Sequence, residues 1–266
     1  MLEETFSQGD SPIHRADPRA KLITALVCIL ITASLDSLEA AAIAVGLSLT
    51  LLFLAKLSKI QVVKRLCLVN GFIAFLWLFL PFSTPGRSIL SIWHLDISLE
   101  GIQLAGLITL KCNAMLMTII ALISTTSIPV LGHALSSLKV PDKFTLLLLI
   151  TYRYLHVIQE ECNRLSTAAK IRGFVPGTNL HTYRTYANLL AMVLIKSFER
   201  AERVYQAMLL RGFQGRFYSL QEFHLRLHDL AASLAVIMGS SGVLLIDQLQ
   251  LHPLVTLFYK YIPLVV

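Results

Sequence analysis

The sequence predicts an all-α polytopic membrane protein, with about five transmembrane helices and amphipathic helices gathered on the cytoplasmic side. Three observations carry that prediction. Hydrophobic residues make up 55% of the 266-residue chain, charged residues only 15%, and the mean hydropathy is +0.68. One soluble globule of ordinary composition has no room to hide so much apolar surface. The apolar residues fall into runs close to the length of a bilayer crossing, and the basic residues fall into particular connections between them. The net charge of +7 therefore reads as membrane orientation and not as a nucleic-acid surface.

Taken in order, Asp17 and Pro18 start the first helix: an aspartate caps free amides, and proline suits the first helical position, where its missing N–H costs nothing. The span covers about residues 18–35, with Lys21 expected to snorkel to water. A second span covers about 38–55, after a tight Asp36-Ser37 corner without Lys or Arg. The next connection is basic, with Lys56, Lys59, Lys64 and Arg65. The third span, about 66–82, ends in the turn-rich stretch Phe82-Ser83-Thr84-Pro85-Gly86. The fourth covers about 101–124, and the fifth about 227–246. The chain thus divides into a four-span membrane region at 1–124, a cytoplasmic platform at 125–226, and a fifth span with a short extracytoplasmic tail at 227–266. Lys and Arg number 3, 4 and 13 in the N-terminus, the second connection and the platform, against 0, 1 and 1 on the opposite side. The positive-inside rule places the N-terminus and residues 125–226 in the cytoplasm. Two apolar stretches inside the platform, 144–152 and 189–195, are too short to cross and read as amphipathic helices along the cytoplasmic face or packed under the spans.

Inside the platform one pattern occurs twice. Glu160-Glu161-Cys162-Asn163-Arg164, six residues and Ile171-Arg172-Gly173-Phe174 return 39 residues later as Glu199-Arg200-Ala201-Glu202-Arg203, six residues and Leu210-Arg211-Gly212-Phe213. Each copy reads as a helix with Glu and Arg at i and i+4, closed by a glycine able to take a left-handed conformation. Arg172 and Arg211 become two matching prongs, and two equivalent prongs suit a partner with two equivalent sockets.

Catalytic chemistry has no visible residue set. The phosphate-binding pattern GxxxxGK[ST] does not occur, so any ATP-driven work would have to come from a partner. HExxH and the nucleophile elbow do not occur either. His224 with His228 at i and i+4 beside Asp229, and His94 with Asp96, are candidates for a transported metal. Cys28, Cys67 and Cys112 lie in apolar runs and read as small hydrophobes. Lys111, beside Cys112 and Asn113 midway along the fourth span, is expected to face protein, as a polar anchor between helices or a partner contact, with Asn113 sharing its polar surroundings.

These stretches resemble the transmembrane T component of energy-coupling-factor importers, in particular the cobalt/nickel branch of CbiQ/NikQ type. The matching residues are Ser11 through Leu22, Thr125-Thr126 leading to Ala134-Leu135 and Val140-Pro141, Tyr152-Arg153-Tyr154, and both Arg-Gly copies, so the likeness covers most of the chain. The family signature is Ala-Arg-Gly; here Ile171 and Leu210 stand in the alanine position, read as an apolar packing position. The resemblance implies a non-catalytic scaffold seated on two ABC-type ATPase subunits through coupling helices that end in Arg172-Gly173 and Arg211-Gly212. It also implies a separate substrate-binding membrane subunit, with ATP and Mg held by the ATPases and no cofactor or metal held by this chain. Lys111, Asp17, Pro18, Arg19 and Arg153 are then structural or partner-contact residues, and the location is the plasma or inner membrane, with no nucleic-acid partner. Three other readings remain beside it: a T component serving a vitamin importer, a membrane enzyme or carrier acting alone, and a scaffold for an unrelated complex.

Overall fold

The structure, a computed structural model, describes residues 9, 11–84, 88–92, 95–215 and 227–261. They form the helices α1 (Pro12–Arg15), α2 (Pro18–Ala33), α3 (Leu38–Ala55), α4 (Lys59–Ser83), α5 (Leu99–Leu122), α6 (Ile128–Ser137), α7 (Asp142–Ile171), α8 (Leu180–Leu210) and α9 (Leu227–Tyr261). A short antiparallel hairpin of β1 (Ser88–Ile92) and β2 (Leu95–Ser98) joins α4 to α5, in a stretch expected to be an irregular connection. Helix dominates throughout, as the composition requires. The chain forms two compact units, one holding α6 to α8 and the other holding α1 to α5, the hairpin and α9.

In the larger unit, four helices are long and apolar enough to cross a bilayer: α3, α4, α5 and the Leu227–Leu249 part of α9. Helix α2, expected as the first span, has only 16 residues. At 1.5 Å per residue it is about 24 Å long, short of the ~30 Å hydrocarbon layer. Asp17 caps it as expected, accepting the Arg19 N–H at 2.9 Å, with Pro18 at the first position. Helix α4 starts at Lys59, well before the expected 66, because Lys59, Lys64 and Arg65 lie in its first turns and not in a loop. Helix α9 continues as helix to Tyr261, past the expected 246.

Alanine makes the close approaches. Ala40 and Ala44 of α3 pack with Ala114 of α5, Val243 of α9 and Leu35 in one buried cluster. A second cluster joins Leu51 and Ala55 to Ala121. Small side chains bring backbones near enough for dispersion to hold helices together where lipid supplies no hydrophobic driving force. Polar pairs add direction between α4 and α5: Asn70 and Asn113 exchange amide hydrogen bonds at 3.0 Å in both senses, and Trp77 donates to Thr109 at 2.9 Å. Asn113 thus belongs to Asn70 and not to the surroundings of Lys111. At the hairpin end, a Cβ on Gly101 would collide with the Thr84 hydroxyl and the Leu80 carbonyl, so glycine lets α4 and α5 close.

The corner between α2 and α3 is held by opposite charges at opposite helix ends. Lys111 of α5 donates to the Ala33 carbonyl at 3.1 Å, at the negative end of α2, and lies 3.8 Å from the Asp36 carboxylate. Buried Asp247 of α9 accepts the Asp36 and Ser37 N–H groups at 2.8 and 2.9 Å, at the positive end of α3. Each charge meets the dipole it complements. Lys111 is therefore a structural anchor, paired with a carbonyl and a carboxylate. The corner consequently sits level with the middle of α5, which agrees with the shortness of α2.

Asp247→Ala removes two hydrogen bonds in which a carboxylate accepts the Asp36 and Ser37 N–H groups, so a loss of about 1–3 kcal/mol is expected. Thermal unfolding of the purified protein in lipid nanodiscs measures it, and an unchanged Tm contradicts the clamp.

Candidate functional site

The repeat lies in α7 and α8, and its two ends have the same geometry. In the first, Gly173 at φ +80° donates to the Lys170 carbonyl at 3.0 Å, and Phe174 donates to Ala169 at 3.1 Å. In the second, Gly212 at φ +78° donates to Leu209 at 3.0 Å, and Phe213 donates to Met208 at 3.1 Å. Both are complete Schellman motifs, which satisfy the last carbonyls and turn the chain away immediately after the arginine. Open space surrounds both glycines, so the positive φ alone requires them. The expected glycine stops, Gly173 and Gly212, are where the sequence placed them.

Arg172 and Arg211 are exposed at these ends. Beside them Ile171 is 82% exposed and Leu210 91% exposed. This overturns the expectation of apolar packing within the chain at these positions: each is the last residue of its helix, with Arg172 or Arg211 as the C-cap, so no further turn of its own helix follows to cover it. Each tip therefore presents an aliphatic side chain and a guanidinium together. Behind the first tip, Phe174 packs edge-on against Tyr186, with ring centroids 5.6 Å apart. Behind the second, Phe213 and Met208 line a cavity with Arg153, Tyr154 and Ile150 of α7. Arg153 thus lies in the wall beside the second tip, with its guanidinium 5.7 Å from the Tyr154 ring centre.

Contacts between α7 and α8 run in opposite senses along the two helices. Phe174 meets Tyr186, Glu161 meets Lys196 and Arg200, and Ile150 shares a wall with Met208. The helices are antiparallel, and the two tips lie at opposite ends of the pair. At their meeting point Glu161, 7% exposed, receives Lys196 at 2.5 Å, Arg164 at 3.6 Å and Arg200 at 4.0 Å. The hydrogen bond from Lys196, aided by the three positive charges, holds the Glu161 carboxyl below its ordinary value of 4.5. Its stabilisation is complete above that value and is lost as acid titrates the depressed group. Within the repeat the local pairs differ from the expected i, i+4 pattern. Glu199 pairs with Arg203 at that spacing, but Arg164 turns to Glu161 while Glu160 meets His156.

Along α8, Tyr183, Tyr186, Leu190, Leu194 and Phe198 form an exposed stripe at helical spacing. In the membrane unit, Lys21 is buried and does not snorkel: its ammonium donates to the His14 carbonyl and the Thr126 hydroxyl, both at 3.3 Å. Arg19 follows Asp17 in the first turn of α2. Of the histidine candidates, His94 and His224 lie outside the described residues, as does the side chain of Asp96. His228 and Asp229 line a cavity with Lys21 and Arg15. Among the described residues, no three His, Cys, Asp or Glu side chains gather as a metal site.

Fold and site together define a multi-pass membrane protein in which two long helices outside the candidate spans end in like-built arginine tips. The chain belongs to the CbiQ family, described as cobalt transport protein, which matches it over residues 9–222. It is similar to relatives named energy-coupling factor transporter transmembrane protein EcfT. One from Streptococcus equi subsp. equi is 28% identical, over 88% of this chain and 92% of its own length. One from Heliobacterium modesticaldum is 27% identical, over 89% and 92%. One from Bacillus subtilis is 26% identical, over 81% and 85%. The resemblance read from the sequence is borne out at the level of a transmembrane component of energy-coupling-factor transporters.

Replacing Gly173 or Gly212 by valine forces a branched side chain into positive φ, at a cost of about 1–2 kcal/mol, whereas asparagine costs less. Hydrogen exchange should therefore quicken about tenfold or more at the last-turn amides of the valine variants. Equal protection in the valine, asparagine and parent proteins contradicts the assignment.

Proposed function

We propose that this chain is the non-catalytic coupling subunit of an ATP-driven importer of cobalt or nickel ions. Arg172-Gly173 and Arg211-Gly212 dock on two ABC-type ATPase subunits, which hold the ATP and Mg. The motion of those subunits passes through α7 and α8 to a separate substrate-binding membrane subunit. The observation that carries this reading is the pair of like-built tips, each offering one guanidinium and one exposed aliphatic side chain. A guanidinium makes two parallel hydrogen bonds to a carboxylate, so an acidic socket with an apolar wall is the matching surface on each ATPase. The stripe from Tyr183 to Phe198 supports the other contact: an uncovered apolar face suits lipid and the spans of a substrate-binding subunit. On this reading residues 125–226 form the cytoplasmic platform, in line with their thirteen Lys and Arg.

A metal cargo is favoured by the family description, cobalt transport protein. A second reading, a T component serving vitamin-type importers, is favoured by relatives whose printed names state energy coupling and no metal. Uptake of radioactive cobalt and nickel ions, against labelled vitamins, in cells expressing the chain with its partner subunits separates the two.

Arg172→Ala with Arg211→Ala is expected to abolish uptake and to release the ATPase subunits on co-purification, with insertion in the membrane unchanged. Lysine at both positions should restore uptake only in part, because an ammonium lacks the forked geometry. Normal uptake in the double alanine variant overturns the coupling role.

A further inference from the structure

Glu161 and Arg200 occupy the same place in the two copies of the repeat, 39 residues apart, and they lie 4.0 Å from each other across the antiparallel pair. The two helices therefore meet at equivalent positions. From that point each runs 11 residues to its arginine, Glu161 to Arg172 and Arg200 to Arg211. At 1.5 Å per residue the arms are each about 16 Å long along their own helix axes. Equal arms from one meeting point explain why the repeat spacing is kept between the charged cluster and the tip as well as at the tip itself.

At the meeting point charged pairs cross from one helix to the other. Next to it α7 and α8 leave a cavity of about 470 Å³ lined by Leu155, Ile158, Ala201 and Val204 among others, a gap that close-packed helices would fill. The pairs of Glu160 and of Glu199 stay within their own helices, whereas Glu161 reaches Lys196 and Arg200 of the other. Taking a buried carboxylate away from such cations leaves positive charges facing one another where apolar contact is thin.

We infer that Glu161 is the positioning residue that pins α7 to α8 through Lys196 and Arg200, and so sets the span between the two arginine tips. The inference rests on the coupling reading for its consequence in transport, but its geometry stands on this chain alone. A fixed span would let two ATPases that approach or separate drive both arms together. A loose crossing would absorb the same motion.

The test uses the full chain in lipid nanodiscs, with Cys28, Cys67, Cys112 and Cys162 replaced by serine. Nitroxide labels are placed at Thr167→Cys and Gln206→Cys, exposed positions that are equivalent in the two copies and away from the tips. Pulsed dipolar spectroscopy should give one narrow distance distribution in this background and a broadened, shifted one when Glu161→Gln is added. Glu161→Asp keeps a carboxylate facing Lys196 and Arg200 on a side chain one methylene shorter, and should leave the distribution closer to the parent than Glu161→Gln does. If the Glu161 variants fail to fold, Lys196→Met keeps the carboxylate with Arg164 and Arg200 and should broaden the distribution less. Unchanged distributions in Glu161→Gln, or in Lys196→Met where Glu161→Gln does not fold, overturn the inference. With the partner subunits present, Glu161→Gln should retain the ATPases on co-purification while uptake falls roughly tenfold, the scale of one lost coupling interaction. Loss of the ATPases from the arginine-tip variants tests the docking reading separately, since the distance measurement does not depend on it.

Discussion

An α-helix can present an arginine at its very end and leave its neighbours uncovered only if the chain turns away at the next residue. A residue at positive φ makes that turn, and glycine takes it without a Cβ penalty. Gly173 and Gly212 do so with φ values two degrees apart, at +80° and +78°, and with the same pair of closing hydrogen bonds. Everything distinctive about the platform follows. Ile171 and Leu210 stand clear, the guanidiniums are exposed, and phenylalanine folds back against the helix pair. The repeat in sequence is thus a repeat in geometry, and the family to which the chain belongs gives that geometry a setting in transport.

The membrane unit follows a different economy of contact. Its helices approach on alanine, and polar groups are placed at helix ends, where the backbone leaves unpaired donors and acceptors. Lys111 and Asp247 come from helices far apart in sequence and grip one corner from its two sides. That corner fixes how deep the short α2 and α3 reach beside α5. Lys21 performs a similar task at the other end of α2, tying the turn after Ser11 to Thr126 just before the chain leaves the unit.

Features carried by neighbouring residues were legible in the sequence. Apolar runs gave the long helices, Asp17-Pro18 the start of α2, and Gly173 and Gly212 the helix stops, since each depends on residues within one turn. What escaped depends on partners remote in the chain. Asp247 lies 211 residues from Asp36, and Asn70 lies 43 from Asn113. No spacing rule links such pairs. Length misled in three places: a hydropathy run stretched α2 past its true end, basic residues hid the first turns of α4, and α9 continues as helix beyond its expected end at 246. The role of Glu161 was hidden by its neighbour, because Glu160 at i, i+4 from Arg164 satisfied the helical pattern while Glu161 faced the other helix. The exposure of Ile171 and Leu210 was concealed by their chemistry, as an aliphatic residue at the end of an amphipathic helix reads as core.

The central claim is that two equivalent tips on this chain meet two ATPase subunits on the cytoplasmic side. Cysteines at Ile171 and at Leu210, exposed side chains of the two tips, address it directly through cross-linking in membranes that hold the assembled transporter. The expected result is a cross-link from each tip to an ATPase subunit, with neither cysteine labelled from outside intact cells. A tip that cross-links to no ATPase, or that reacts with an impermeant reagent added outside, contradicts the account.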